Sequence, residues 1–223
     1  MDAAAMPRAP QVRAIYGASL APDATAVAHL VDDGGYPRAV QRFLRGWRAS
    51  SWRDVDLPVV GPVTKVLHSA DGHWLACEVA PDGGSRTQLW VVTTDPDDRA
   101  ARRIDSGGGH SADHSTAELI AWDGTLVAAI LTGDDGVGIS CLIDPATGEQ
   151  TVLDRRSAGR LVDAWAGSAL IRVGPRGYRD LLMLHGGTEI ALLPYDPGST
   201  TDFGVILDDH VPRRLRHGTE GEA

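Results

Sequence analysis

The chain has 223 residues, of which 43% are hydrophobic and 23% are charged, and this composition suits a globular protein with a buried core. Its 21 lysine and arginine residues against 30 aspartate and glutamate residues give a net charge of −9, which argues against a nucleic-acid-binding surface and a polybasic membrane patch. No apolar run reaches the length of about 18 residues that predicts a membrane-spanning helix, and residues 1–8 lack a secretory signal, so the sequence predicts a cytoplasmic protein.

The predicted elements begin after a flexible tail at residues 1–10. A first unit spans about residues 11–60 and is rich in short apolar runs that turn residues interrupt. Its predicted strands lie at residues 11–16, 25–31 and 37–44. The remainder, residues 45–60, is predicted to be irregular.

The second unit, at about residues 61–105, shows the repeating pattern most clearly. The first two strands flank the turn Ser69-Ala70-Asp71-Gly72, and a second turn, Pro81-Asp82-Gly83-Gly84, precedes the third strand. The four predicted strands are 63–68, 73–79, 88–93 and 101–104.

Two further units follow a loop at residues 106–115 that is rich in serine, glycine and histidine. The third unit spans about residues 116–154, with strands at 117–122, 126–131, 137–143 and 150–153. The fourth spans about residues 160–194, with strands at 161–165, 169–173, 180–184 and 188–193. Residues 201–207 begin a fifth unit with a strand at 203–207, before a polar tail at 208–223.

The turn that precedes the second strand recurs about every 45–50 residues, at Asp23, Asp71, Asp123 and Gly167. A repeat of this length that contains only strands is typical of β-propeller blades. The second strand of each unit is the most apolar, as expected for a strand buried between neighbouring blades. No segment keeps helical spacing for three turns.

We therefore predict an all-β fold, a partial β-propeller of about four four-stranded antiparallel blades. A propeller protects its edges when the last blade joins the first. Because residues 201–207 open a fifth unit that the sequence does not complete, we predict an open arc. The uncovered blade faces predict self-association, or a partner that supplies the missing blades.

Three segments resemble the propeller of the prolyl oligopeptidase family of serine peptidases, particularly its acylaminoacyl-peptidase and dipeptidyl-peptidase-like branch. They are the strand-turn-strand segment 66–75, the strand 88–92 and the turn 144–149, and the resemblance spans roughly residues 11–207. The Ser-x-Asp-Gly turn also marks TolB-type propellers.

The resemblance implies a propeller that covers an α/β-hydrolase domain and restricts which substrates enter. The sequence shows no hydrolase domain after the blades, which indicates a truncated member of the family. The half-motifs at Ser19, Ser85 and Ser140 each lack the second glycine of Gly-x-Ser-x-Gly. We therefore predict a non-catalytic propeller with no catalytic residue, whose partner is a hydrolase domain.

The sequence is also compatible with two other functions. One is a stand-alone propeller that binds proteins through its surface. The other is a TolB-like envelope protein, which the absence of a secretory signal disfavours. Neither requires a cofactor, a nucleic acid or a membrane as a partner.

Several polar clusters contain residue types found in functional sites, but their sequence context favours ordinary structural roles. His110, Asp113 and His114 have metal-ligand chemistry, but a polar, glycine-rich loop produces this pattern by chance, so no metal site is predicted. The glycines at 107–109 lack the Gly-Lys-Ser/Thr ending of a phosphate loop, and no cofactor is predicted. The acidic pairs 32–33, 134–135 and 208–209 are typical of turns.

The tryptophan residues divide into two groups. The sequence predicts that four of them, in strands of successive units, pack in the core: Trp74, Trp90, Trp122 and Trp165. Trp47 and Trp52 lie outside the predicted repeat and could contact a partner.

The remaining candidates are three arginines and two cysteines. By the family resemblance, Arg172, Arg176 and Arg179 could meet substrate carboxylates, although no motif fixes that role. Cys77 and Cys141, the only cysteines, lie in apolar strands and are predicted to be buried thiols.

Overall fold

The structure is a computed structural model that describes residues 14–46, 49, 51–95, 97–98, 100–106, 116–175, 179–193, 204–206 and 212–214. These residues form eighteen β-strands and a single 3-10 turn at Pro81–Gly83, with no α-helix among them. The predicted all-β class is confirmed.

Sixteen of the strands form four antiparallel sheets of four strands each, in which the strand order follows the sequence. The first sheet contains β1 (Ala14–Leu20), β2 (Ala26–Asp32), β3 (Arg38–Phe43) and β4 (Trp52–Asp54). The second contains β5 (Val63–His68), β6 (Trp74–Val79), β7 (Gln88–Thr93) and β8 (Ala101–Arg103). The third contains β9 (Thr116–Asp123), β10 (Leu126–Thr132), β11 (Gly138–Ile143) and β12 (Gln150–Asp154). The fourth contains β13 (Gly159–Trp165), β14 (Ser168–Val173), β15 (Asp180–His185) and β16 (Thr188–Leu193).

The four sheets are blades, and each packs on the next through a hydrophobic layer. Residues from the first and second blades share one cluster, the second and third blades share another, and the third and fourth share a third. The second strands β6 and β10 each contribute to the layers on both of their faces, and β2 and β14 are also buried along most of their length, which explains the continuous hydrophobicity of the second strands. Among the described strands, no extensive contact joins the first blade to the fourth, so the propeller is partial and open.

A small fifth sheet continues the series beyond the fourth blade. It pairs β17 (Gly204–Ile206) with β18 (Pro212–Arg214), and β18 lies in the segment that the sequence assigns to a polar tail. β17 contacts β13 and β14, just as β13 contacts β9 and β10 in the preceding blade. Ile206 packs with Leu170 and Leu181 on the far face of the fourth blade. β17 therefore takes the place of the first strand of a fifth blade.

The structure corrects two predictions about tryptophan residues. Trp52 lies in β4 and therefore within the repeat, where β4 pairs with β3 although its residues form no apolar run. The edge of its ring meets His29 at 5.4 Å between centroids, and the Arg42 guanidinium lies 5.1 Å from its ring centre. Trp165 is exposed and does not pack in the core, because it is the last residue of β13, at the turn. Trp122 is buried as predicted, while Trp74 is only partly buried against the same cluster.

Candidate functional site

The concave side of the arc is formed by the first strands of the blades. β1 contacts β5, β5 contacts β9, β9 contacts β13 and β13 contacts β17, whereas the fourth strands make no such extensive contacts with one another. The first strands must therefore lie closest to the axis of the arc. In a propeller this is the wall of the central channel.

Every first strand of the four blades contains a β-bulge. The pairing with the second strand skips Thr64 in β5, Ile120 in β9 and Val162 in β13, and it skips Gly17 and Ala18 in β1. A bulge bends the strand and changes the direction of neighbouring side chains. In this protein the bulges bring charged side chains of three blades together on the concave side.

Lys65 is the central residue of this group. Its Nζ atom donates to the carbonyl oxygens of Leu119 at 2.8 Å and of Ile120 at 3.1 Å, and so satisfies the backbone at the bulge of the next blade. Burial lowers the pKa of Lys65, and the charges of Glu78, Glu118 and Asp163 partly oppose that shift. We refer to these residues and the neighbouring Arg160 as the inner charge cluster: Lys65, Glu78, Glu118, Arg160 and Asp163.

Two carboxylates of the inner charge cluster are held by hydrogen bonds. Glu78 accepts from the Thr64 hydroxyl at 2.6 Å and from the backbone N–H of Leu119 at 2.8 Å. Asp163 accepts from the backbone N–H groups of Ala164 at 2.9 Å and of Ile206 at 2.7 Å. Burial raises the pKa of Asp163, although these hydrogen bonds and the Lys65 charge favour its ionised form. Both carboxylates thus join one blade to the next.

Glu118 and Arg160 are the exposed members of the cluster. They form an ion pair between β9 and β13, and both side chains keep much of their surface in solvent. Their charged groups are therefore available to a ligand that enters the concave side. The chemistry offered is ionic and hydrogen-bonding recognition.

A serine–histidine contact lies elsewhere, on the fourth blade. Ser168 Oγ lies 2.9 Å from His185 Nδ1, a distance that could suggest a nucleophile and its base. However, Ser168 is buried and the two residues are direct cross-strand partners. The contact therefore serves to pair β14 with β15 and offers no accessible nucleophile.

The acidic pairs act in turns, as predicted. Asp32 accepts from the backbone N–H of Gly34 at 3.0 Å, and Asp135 accepts from that of Val137 at 2.9 Å. Each bond spans two residues, which is the geometry by which aspartate stabilises a turn. The pair at residues 208–209 lies outside the described residues.

The other predicted candidates are dispersed. His110, Asp113, His114, the glycines at 107–109, Trp47 and Arg176 lie outside the described residues. Within the described ranges no group of three or more histidine, cysteine, aspartate or glutamate residues could hold a metal ion. Arg172 lies on β14 opposite Arg160 of the inner charge cluster, and Arg179 lies just before β15. In the same ranges, no helix is long and apolar enough to cross a bilayer.

Both cysteines are buried free thiols, as predicted. Burial raises the pKa of Cys77 and of Cys141 to about 12. Because the thiolate is the reactive form, we expect the native protein to react slowly with a thiol reagent and the denatured protein to react quickly with two equivalents. Fast labelling of either cysteine before unfolding would contradict this prediction.

His68 makes the junction between the first two blades sensitive to pH. Its Nδ1 donates to the carbonyl oxygen of Ser19 at 3.0 Å, whereas its Nε2 is buried without a partner. Burial lowers the pKa of His68, so the folded protein keeps the ring neutral where the unfolded chain, with a histidine pKa of about 6.5, binds a proton. We expect the free energy of unfolding to fall as the pH drops from about 7 to about 5.

Denaturant titrations at several pH values measure this effect. His68→Gln should flatten the dependence of the free energy of unfolding on pH. If the free energy of unfolding depends on pH equally in wild type and in His68→Gln, His68 is not the cause of the pH dependence.

The fold is similar to those of known propellers, although no protein-family model and no curated protein matches the sequence. The β-propeller domain of the Trilobed protease from Pyrococcus furiosus, which has an open velcro topology, superposes with a TM-score of 0.64 at 10% identity, over 92% of this chain and 69% of that one. Acylaminoacyl peptidase from Pyrococcus horikoshii gives a TM-score of 0.59 at 11% identity, over 87% of this chain and 34% of the peptidase chain. TolB from Acinetobacter baumannii gives a TM-score of 0.57 at 15% identity, over 81% of this chain and 43% of the TolB chain.

These similarities concern the fold. The resemblance to peptidase and TolB propellers expected from the sequence is confirmed at that level, over most of the chain. The chain spans less than half the length of the TolB and acylaminoacyl peptidase chains that it matches.

Proposed function

We propose that this chain is a non-catalytic propeller that controls which substrates reach the active site of a peptidase-type hydrolase domain. The observation that carries this proposal is the similarity of its blades, at low identity, to the propellers of a Trilobed protease, an acylaminoacyl peptidase and prolyl endopeptidases. The hydrolase domain can lie in the same polypeptide or in another one.

The inner charge cluster is the part of the surface that would act on substrates. Glu118 and Arg160 present opposite charges on the concave side, where a peptide passing through the channel would meet them. Ionic contacts at this place discriminate between peptides by charge without any chemical step. Of the arginines that the sequence suggested for this role, Arg172 lies on β14 directly opposite Arg160, and Arg179 lies just before β15.

The purified chain is expected to lack peptidase activity. Covalent catalysis by serine requires an accessible hydroxyl next to a positioned base, and the Ser168 hydroxyl beside His185 is buried. We expect no cleavage of aminoacyl or peptidyl chromogenic substrates and no serine labelling by a fluorophosphonate probe. Stoichiometric labelling of any serine would overturn this prediction.

The proposed role is tested with the tagged chain produced in the organism that encodes it, where we also propose that it is cytoplasmic. A serine hydrolase that a fluorophosphonate probe labels should purify with it at a fixed ratio from the soluble fraction. In that complex, Arg160→Ala should change kcat/KM for acidic peptides and leave a small chromogenic ester unaffected. Arg38→Ala, which removes an exposed ion pair on the first blade, is the matched control.

A stand-alone protein-binding module is the second candidate, and one observation favours it. The first strand of the first blade exposes apolar side chains, as interaction surfaces do. A stoichiometric co-purifying protein that the fluorophosphonate probe does not label would support this function. If a labelled hydrolase co-purifies but its selectivity between peptides is the same with wild type and with Arg160→Ala, the gating role is wrong.

A further inference from the structure

The first strand of the first blade is exposed at positions where the other first strands bury their side chains. Leu20 pairs with the second residue of β2, and three residues hold the equivalent position in later blades: His68, Trp122 and Ala164. These three are only 8%, 7% and 2% exposed, whereas Leu20 is 58% exposed. The difference arises from what lies beside each strand.

At two of these later positions, a hydrogen bond joins the residue to the first strand of the preceding blade. The backbone N–H of His68 donates to Ser19 Oγ at 2.8 Å. Trp122 Nε1 donates to the carbonyl oxygen of Leu67 at 3.0 Å. Ser19 and Leu67 are equivalent residues of β1 and β5, because Ser19 directly precedes Leu20 and Leu67 directly precedes His68. Both junctions therefore place the first strand of the preceding blade against this position, although different atoms form the two hydrogen bonds.

A second position shows the same difference. Ile15 pairs with the sixth residue of β2, as Val63 does with that of β6 and Ala117 with that of β10. Val63 and Ala117 are 5% and 0% exposed, and Ile15 is 57% exposed. The N–H of Val63 donates to Pro37 O at 2.7 Å and that of Ala117 donates to Thr87 O at 3.0 Å, so again the preceding blade covers the position.

We propose that a second copy of this chain covers Ile15 and Leu20 with the sheet β17–β18 at the other end of its arc. The three junctions within the chain show what this face accepts, namely the far side of a preceding blade. β17–β18 is the last sheet of the series among the described residues, and it packs on the fourth blade as a next blade would. The proposed contact between two copies therefore repeats the interface between neighbouring blades, which occurs three times within the four blades.

The order of the blades also fixes the orientation. In every junction the first strand of one blade meets the opposite face of the blade before it, so the contact between copies is head-to-tail. A face-to-face dimer would bring Ile15 and Leu20 against their own copies, unlike any junction in the chain. Head-to-tail contacts form rings or propagate, and the mass therefore rises with concentration. This association does not depend on the proposed peptidase role.

Light scattering after size-exclusion chromatography tests the association. We expect the wild-type mass to rise from 23.6 kDa to at least twice that value as the concentration increases. Leu20→Glu and Ile15→Glu should weaken association at least about tenfold while the circular dichroism and the melting temperature stay close to wild type. Val60→Glu, at a loop position that is 71% exposed, is the matched control and should associate like wild type.

A wild-type protein that stays at 23.6 kDa at every concentration would overturn the proposal. Equal association of Leu20→Glu and wild type would overturn it as well, because the face would then play no part.

Cross-linking tests the orientation. Leu20→Cys and Val205→Cys place reactive thiols on β1 and β17, while the two natural cysteines are buried and do not compete. Under mild oxidation a mixture of the two variants should form disulfide-linked dimers at least about tenfold faster than either variant alone. Equally fast cross-linking of Leu20→Cys with itself would reject the head-to-tail arrangement.

Discussion

Replacing Trp122 with alanine is expected to lower the free energy of unfolding by about 3–5 kcal/mol, as is usual for a large buried aromatic side chain. The indole is buried in the layer between the second and third blades. Its Nε1 also donates to the carbonyl oxygen of Leu67 on β5 at 3.0 Å. The substitution would therefore leave a cavity and an unpaired carbonyl at the same junction. Urea denaturation followed by circular dichroism measures the loss.

Trp165→Ala is the matched control for Trp122. Trp165 is the last residue of β13 and Trp122 is the last but one of β9. Unlike Trp122, Trp165 is exposed. We expect its loss to cost less than about 1 kcal/mol, in line with surface substitutions. Similar destabilisation by the two variants would contradict the prediction that burial of the indole sets the energetic cost.

Gly61→Ala is expected to destabilise the protein by about 3 kcal/mol or more. Gly61 has φ +157°, and an added Cβ atom would lie 2.1 Å from the carbonyl oxygen of Ala80. This contact cannot relax locally, because Ala80 N donates to Pro62 O at 3.0 Å and Asp82 N donates to Val60 O at 2.8 Å. The backbone between the first two blades must therefore shift, and these hydrogen bonds weaken.

Gly148→Ala separates this clash from ordinary backbone strain. Gly148 has φ +78°, but an added Cβ atom would meet nothing within 4 Å. We expect a cost of only about 1–2 kcal/mol, the usual penalty for a left-handed conformation in a residue with a side chain. Thermal unfolding of both variants makes the comparison. If Gly61→Ala costs no more than Gly148→Ala, the close approach to Ala80 has no energetic importance.

Chemically similar residues in the repeat have different roles in the structure. Asp71 accepts from the Ser69 hydroxyl at 2.6 Å and from the N–H of His73 at 3.0 Å, within its own turn. Asp123 instead accepts from the N–H of Gly167 in the next blade, at 2.9 and 3.1 Å. A two-residue turn follows Asp123, so that residue is the end of a strand and its side chain reaches the neighbouring blade. The sequence repeat alone does not reveal this difference.

The sequence by itself determined the four blades, because each blade is local. Strands, turns and their spacing follow from the alternation of apolar runs with glycine, proline and aspartate, and neighbouring strands within a blade are close in sequence. The strands β5, β7 and β16 have the predicted bounds. β4 was missed because three residues of mixed polarity carry no periodic signal, and only its pairing with β3 makes it a strand.

Only the tertiary structure decided the inner charge cluster. Its members come from the second, third and fourth blades and carry no shared motif in the sequence. Single-residue bulges, which a hydrophobic pattern does not mark, turn them toward one another. The exposure of Ile15 and Leu20 has the same origin, since their apolar character predicts burial and only the absence of a described blade beside β1 leaves them in solvent. Burial depends on which blade lies next to which, and packing between blades determines that.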